Sequence, residues 1–147
     1  MSDIQYLSYQ LPSPYWQQTS ELRLQVFVAE QGVPEALELD EWDNSAQHFI
    51  AIKDQTVIAT LRLVVKQDKT KLGRLAVLKS FRNQGIATEL MQQAMQFCQQ
   101  QSMTTITLGA QLTVQDFYAK LGYQTVGDIF DDAGIAHITM LKSVLNI

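Results

Sequence analysis

The chain has 147 residues, 46% of them hydrophobic and 18% charged, which suits one globular domain with a sizeable core and excludes both disorder and two ordinary domains. No apolar run reaches the ~18 residues of a membrane span, and MSDIQYLSYQ lacks the basic-then-apolar order of a signal peptide, so the expected location is cytoplasmic. A net charge of -4 without a basic face or aromatic ladder argues against nucleic acid, and the single cysteine, Cys98, allows no internal disulfide and has no metal-ligand companions.

Ile4, Tyr6 and Ser8 suggest a short first strand, ended by Pro12 and Pro14, with Ser13 placed to cap a helix whose first turn carries Pro14. Leu22, Val26 and Ala29 share one helical face, and Gly32 and Pro34 stop that helix. Residues 33–46 are acidic and poorly periodic, a loop holding at most a turn or short helix. Two strands follow, 48–53 and 57–65, joined at Asp54-Gln55. The second is almost continuously apolar, as a strand buried on both faces should be. Asp68-Lys69-Thr70 turns the chain into a further strand, 71–78.

A polar, basic loop, 79–84, then reaches Gly85, where a helix begins with the apolar stripe Ile86, Leu90, Ala94 and Phe97. Cys98 lies on that stripe and reads as a core residue. A helix N-terminus offers unsatisfied N–H donors and partial positive charge, and Gly85 lets an anion approach the backbone, so the expected ligand is phosphorylated. Neither a Walker loop nor a three-glycine dinucleotide fingerprint is present. The remaining elements are a strand at 104–109, a helix near 113–121, and strands 123–129 and 135–141 that turn around at 131–134. The order βα, loop, βββ, α, β, α, ββ predicts a mixed α/β (α+β) sheet with helices on both faces.

Arg82-x-x-Gly85-x-Ala87 resembles the acetyl-CoA loop of the GNAT N-acetyltransferases. Phe117-Tyr118-Ala119-Lys120-Leu121-Gly122-Tyr123 looks like a later GNAT segment. GIAHITM (134–140), RLQVFVAEQ (23–31) and ELDEWDNSAQH (38–48) look like the ElaA-like subgroup. The resemblance covers nearly the whole chain. It implies one GNAT domain over 1–147, a mixed, mostly antiparallel seven-stranded sheet splayed between its fourth and fifth strands, and acetyl-CoA as co-substrate without a metal. It also implies direct attack by a primary amine, of a small cationic molecule or a protein, in a ternary complex. It leaves room for a homodimer. A non-catalytic acyl-CoA sensor or partner-binding module is the competing reading.

By the same resemblance, backbone groups of Leu75, Ala76 and Val77 pair with pantetheine. Backbone N–H groups of Asn83, Gln84, Gly85, Ile86, Ala87 and Thr88 hold the pyrophosphate, with charge from Arg82 and Lys79. Gln111 stands where many GNATs carry a cofactor-contacting Asn, Phe117 packs in the core or touches the cofactor, and Tyr118 is the general acid for the leaving thiolate. For removing the amine proton no residue stands out: Glu30, Glu38, Asp40, Asp43, His48 and His137 all qualify, as does solvent. Seven of the eleven basic residues fall between positions 62 and 82, and acids cluster at 30–43 and 128–132. This suggests a basic side for phosphates and an acidic side for a cationic acceptor.

Overall fold

The computed structural model describes residues 3–67 and 69–144. Seven strands form one sheet in the order β1-β2-β3-β4-β5-β7-β6. They are β1 (Gln5–Tyr9), β2 (Gln47–Lys53), β3 (Thr56–Lys66), β4 (Lys69–Val77), β5 (Thr105–Gln111), β6 (Gln124–Asp132) and β7 (Ile135–Ser143). The helices are α1 (Trp16–Arg23), the short α2 (Glu35–Glu38), α3 (Ile86–Gln100) and α4 (Gln115–Lys120). The element order is the one expected from the sequence. Asp68, assigned there to a hairpin turn, lies outside the described residues.

Each helix covers a face for a reason visible in its spacing. Ile86, Leu90, Met91, Ala94 and Cys98 of α3 are buried against Phe49, Leu61, Leu72, Ile106 and Leu108 of the sheet. Leu22 and Val26 pack on the opposite face against Ile50, Ile52, Val57 and Ala76. The continuous apolar run of β3 is explained by this double cover, since residues 57–64 are all buried. Burial pushes the Cys98 thiol up to about 11, which fits a core residue.

The expected face of the first helix does not run its full length. After Arg23 the chain widens into a π-helical segment, Leu24–Glu30, closed by Val33 N–H donating to the Phe27 carbonyl at 2.9 Å. The wider turn changes which residues face the sheet, so Ala29 is exposed while Phe27 packs on the core edge. Segments of this kind recur at functional sites.

The sheet opens in the middle. β4 and β5 run parallel and pair only at Thr70, Leu72 and the residue between them, against Ile106 to Leu108. Beyond that point β4 continues beside β3 alone, to Val77, and β5 beside β7 alone, to Gln111. A bulge in β4 begins the divergence: Arg62 pairs with Gly73 but Thr60 with Ala76, so β4 carries an extra residue there. Arg74, in the bulge, has φ 55, a left-handed conformation that costs a non-glycine residue roughly 1–2 kcal/mol.

Candidate active site

A cleft of about 770 Å³ occupies the opening between β4 and β5. Its walls come from the π-helical segment, α2, the bulged half of β4, the start of α3, β5, α4 and the β6–β7 turn. The bulge that opens it is held by side-chain bonds. Arg74 donates to the Leu37 and Glu38 carbonyls and pairs through Nε with Glu38 Oε2 at 2.9 Å. These contacts offset the strain at Arg74 and tie α2 to the cleft wall.

At one end lies the glycine loop. Gly85 caps α3 with φ 81, and Asn83 before it also has positive φ, 63. No side chain caps this helix. Its first internal bond runs from Glu89 N–H to the Gly85 carbonyl at 3.1 Å, so the N–H groups of Ile86, Ala87 and Thr88 have no partner within the helix. A Cβ built at Gly85 would meet nothing within 4 Å; the glycine serves its backbone angle and the open space in front of it. Arg82, Asn83, Gly85, Ile86, Ala87 and Thr88 line the cleft, as do Leu75 and Val77 of β4. Ala76 and Gln84 do not: Ala76 is buried on the α1 face, and Gln84 is exposed with its amide on the Ser80 carbonyl. Their side chains take no part in the wall, whatever their backbones do.

Arg82, on the cleft lining, is also held by two partners of the protein. Its Nε donates to the Val77 carbonyl at 2.9 Å and its Nη2 to Glu30 Oε2 at 2.7 Å. It braces the loop against the end of β4 and against the π-helical segment. The same pair engages the carboxylate of Glu30, a base candidate, and Glu30 is not among the residues that line the cleft.

Tyr118, Phe117 and Gln111 line the cleft beyond the loop. Tyr118 is largely buried, and that burial pushes its phenol up to about 12. Phe117 meets it edge-on, with ring centroids 5.2 Å apart. Gln111 donates to Gln31 at 2.8 Å and so bridges β5 to the segment after Glu30.

The acidic side differs most from expectation. Glu38, Asp40 and Asp43 meet three guanidiniums. Arg23 binds Glu38 at 3.0 Å and Asp43 at 2.6 Å; Arg62 binds Asp40 at 2.7 Å and Asp43 at 2.8 Å; Arg74 binds Glu38 and Asp40. These three carboxylates are balanced by three guanidiniums, which leaves Glu35, Glu41, Asp131 and Asp132 among the exposed acids of this side. Burial pushes the Asp43 carboxyl up, but the hydrogen bond and charge of Arg23 outweigh it and hold the group below its ordinary value. Burial is likewise outweighed at Asp40, by Arg62. At Glu38 burial prevails over Arg74 and Arg23 and the carboxyl is raised. Asp40 is thus a stabilised carboxylate bound to arginine, which corrects its place among the base candidates; of the three acids, Glu38 alone borders the cleft.

His48 is corrected for a different reason. It is fully buried, stacked on Tyr9 at 5.1 Å and beside Trp16, away from the cleft walls. Its Nε2 bonds the Asp43 carbonyl at 3.0 Å, and burial lowers its pKa. His137, by contrast, lines the cleft. So do Phe27, Gln31, Gly109 and Phe130, which had no individual signal in the sequence; Phe27 and Gln31 belong to the RLQVFVAEQ string noted above.

Among the described residues no group of three His, Cys, Asp or Glu side chains could hold a metal ion, and no helix is long and apolar enough to cross a membrane. The family model for the acetyltransferase (GNAT) domain matches residues 15–144. The uncharacterized N-acetyltransferase YjcF of Bacillus subtilis is 34% identical over 122 residues, covering 82% of this chain and 87% of YjcF. ElaA of Escherichia coli is 28% identical over 130 residues, 85% of each chain, and its crystal structure superposes with a TM-score of 0.85. That superposition covers 95% of this chain and 99% of ElaA. An acyl-CoA N-acyltransferase structure from Pseudomonas aeruginosa, 26% identical, covers 95% of this chain and 99% of its own with a TM-score of 0.87. A splayed sheet, a glycine-capped helix opening on the gap, and these relatives agree: the chain belongs to the GNAT acetyltransferase family, in its ElaA-like group, and is an enzyme.

Proposed function

We propose that this protein, as a single domain, transfers an acetyl group from acetyl-CoA to a primary amine by direct attack in a ternary complex. The observation that carries the reading is the continuity of one cleft from the unpartnered N–H groups of Ile86, Ala87 and Thr88 to Tyr118. The Pseudomonas aeruginosa structure, named as an acyl-CoA N-acyltransferase, supports an acyl-CoA substrate. The helix end suits a pyrophosphate by its donors and its dipole. The bulged half of β4, without a strand on its β5 side, offers backbone groups to the pantetheine amides. The acetyl thioester supplies an activated acyl carbon.

Tyr118 serves the leaving sulfur as a hydrogen-bond donor. A phenol near pKa 12 facing a thiolate whose parent thiol titrates near ~8.5 would pay roughly 5 kcal/mol to give its proton away completely. Donation without full transfer stabilises the anion at no such cost, so the role assigned from sequence narrows from general acid to donor.

The acceptor end is bounded by Phe27, Val33, Leu37, Phe130 and Ile135. Of the two carboxylates on the cleft lining, Glu38 is held by Arg23 and Arg74 and Asp132 stands exposed at the end of β6; the apolar wall favours an amine on an apolar body over a polycation. The test is CoA release from acetyl-CoA across a panel of arylalkyl monoamines, aliphatic polyamines and amino sugars. Arylalkyl amines are expected to lead. No CoA release with any amine would refute acetyl transfer, and a clear lead for polyamines would refute the apolar acceptor.

A further inference from the structure

We infer that His137 accepts the proton of the attacking amine through its Nε2 atom. The inference rests on the acetyl-transfer reading and assigns its missing base.

The ring is set in one orientation and one tautomer. His137 sits on β7, opposite Gln111 of β5 and Phe130 of β6. Its Nδ1 lies 2.7 Å from the Ile135 carbonyl. A carbonyl only accepts, so Nδ1 carries the hydrogen, and in the neutral ring Nε2 keeps its lone pair. Phe130 stacks on the ring, centroids 5.8 Å apart and planes inclined by 26°.

A glycine lies beside the reactive edge. A Cβ built on Gly109 would lie 3.5 Å from Phe130 Cζ and 3.9 Å from His137 Cδ2. Cδ2 is bonded to Nε2, so a Cβ at position 109 would already be in van der Waals contact beside the edge that holds the lone pair, and a larger side chain would have to compete with the ring for that space. Gly109 sits inside β5, has no positive φ to explain it, and lines the cleft. A glycine in a strand interior commonly marks such a close approach.

The competing groups are accounted for. Glu38 is held by Arg23 and Arg74, and Glu30 by Arg82. His48 is buried away from the cleft with Nε2 on a carbonyl. The charged groups around the cleft are the paired Glu38 and Arg74, the Glu30-bound Arg82, Lys71, and Asp132 at the exposed end of β6; Asp131 pairs in register with Ala136, beside His137. In general an imidazole is a stronger base than a carboxylate and better matched to an amine proton.

In the step, the amine nitrogen forms the C–N bond to the thioester carbon and its proton passes to Nε2. The C–S bond breaks, its electron pair leaves on sulfur, and Tyr118 donates a hydrogen bond to that anion. The imidazolium returns its proton to solvent, from which the thiolate is protonated.

Two measurements decide the matter. The first compares wild type with His137→Gln and His137→Ala in steady state against pH. His137→Gln should lower kcat by roughly 100-fold or more with little change in KM for acetyl-CoA, the acid limb of kcat/KM should lose the imidazole's share and keep only that of the amine's own ionisation, and added imidazole should restore part of the rate to His137→Ala. A wild type that turns over while His137→Gln keeps its kcat and pH limb sinks this inference alone; a wild type inactive on every amine sinks the acetyl-transfer reading with it. The second needs no acceptor and no variant rate: nitrogen-15 spectra of the wild-type histidines, assigned with His137→Gln. The Nδ1–H tautomer is expected at His137 and the Nε2–H tautomer at His48. An Nε2–H tautomer at His137 overturns the inference.

Discussion

Arg23 Nη1 lies 2.6 Å from Asp43 Oδ1, with both side chains almost wholly buried. The pair joins α1 to the turn before β2 and sits at the centre of the arginine–carboxylate network beside the cleft. Removing the Asp43 charge leaves Arg23 with Glu38 and Arg62 with Asp40, one carboxylate partner each, and the buried network one negative charge short. Asp43→Asn is therefore expected to cost roughly 1.5–3 kcal/mol at neutral pH, read as a shifted urea midpoint. The folded-state pKa of Asp43 is depressed, so its contribution is present above the ordinary value near ~3.9 and is lost as pH falls through the lower folded value. The gap between wild type and Asp43→Asn should close on acidification below about pH 4. A gap that holds constant to pH 2 would contradict the assignment.

Gly85→Glu should abolish acetyl-CoA binding and leave the chain folded. The Cβ site is empty of protein, so the new side chain has room, but its carboxylate would stand in front of the helix donors and repel phosphate. The left-handed backbone at Gly85 adds a stability cost of roughly 1–2 kcal/mol, small enough for a cooperative melt to survive. Calorimetric titration reads the result, and wild-type affinity in this variant would move the phosphate site elsewhere.

Tyr118→Phe should lower kcat by about 10- to 100-fold, the lower end of proton-donor effects, with acetyl-CoA affinity nearly unchanged. The variant keeps the edge-on packing with Phe117 and Tyr123 and deletes the hydroxyl alone. Burial holds the phenol near 12, so the wild-type rate should show no loss that tracks phenol ionisation below pH 10. Unchanged turnover with an amine for which chemistry limits the rate would remove Tyr118 from the mechanism.

The parts of the site that could be read in advance are those written in short stretches of chain. The strand, basic loop and glycine before α3 form one contiguous signal, and Gly85 at φ 81 has a local cause. The succession of strands and helices followed from apolar runs and turns, and the splayed seven-stranded sheet from the family resemblance. What could not be read depends on residues distant in sequence. Glu38, Asp40 and Asp43 look like a free acidic loop until Arg62 and Arg74 arrive from β3 and β4. Arg82 looks like a free cation until Glu30 meets it. His48 and His137 are indistinguishable by type; the burial of one and the cleft position of the other are set by sheet faces that emerge only with register. The widening of the first helix left no mark that periodicity could catch, because Leu22 and Val26 still fit a regular turn.

The central claim is direct acetyl transfer within this cleft, and it is tested most directly by following an isotopically labelled acetyl group from acetyl-CoA. The one cysteine is buried, with its thiol pushed up to about 11, and is unsuited to carry an acyl group. The account predicts that label appears in the amide of the acceptor, one CoA released per amide formed, and none on the protein when the reaction is quenched early. Label retained on the protein, or CoA released with no labelled amide, would contradict it.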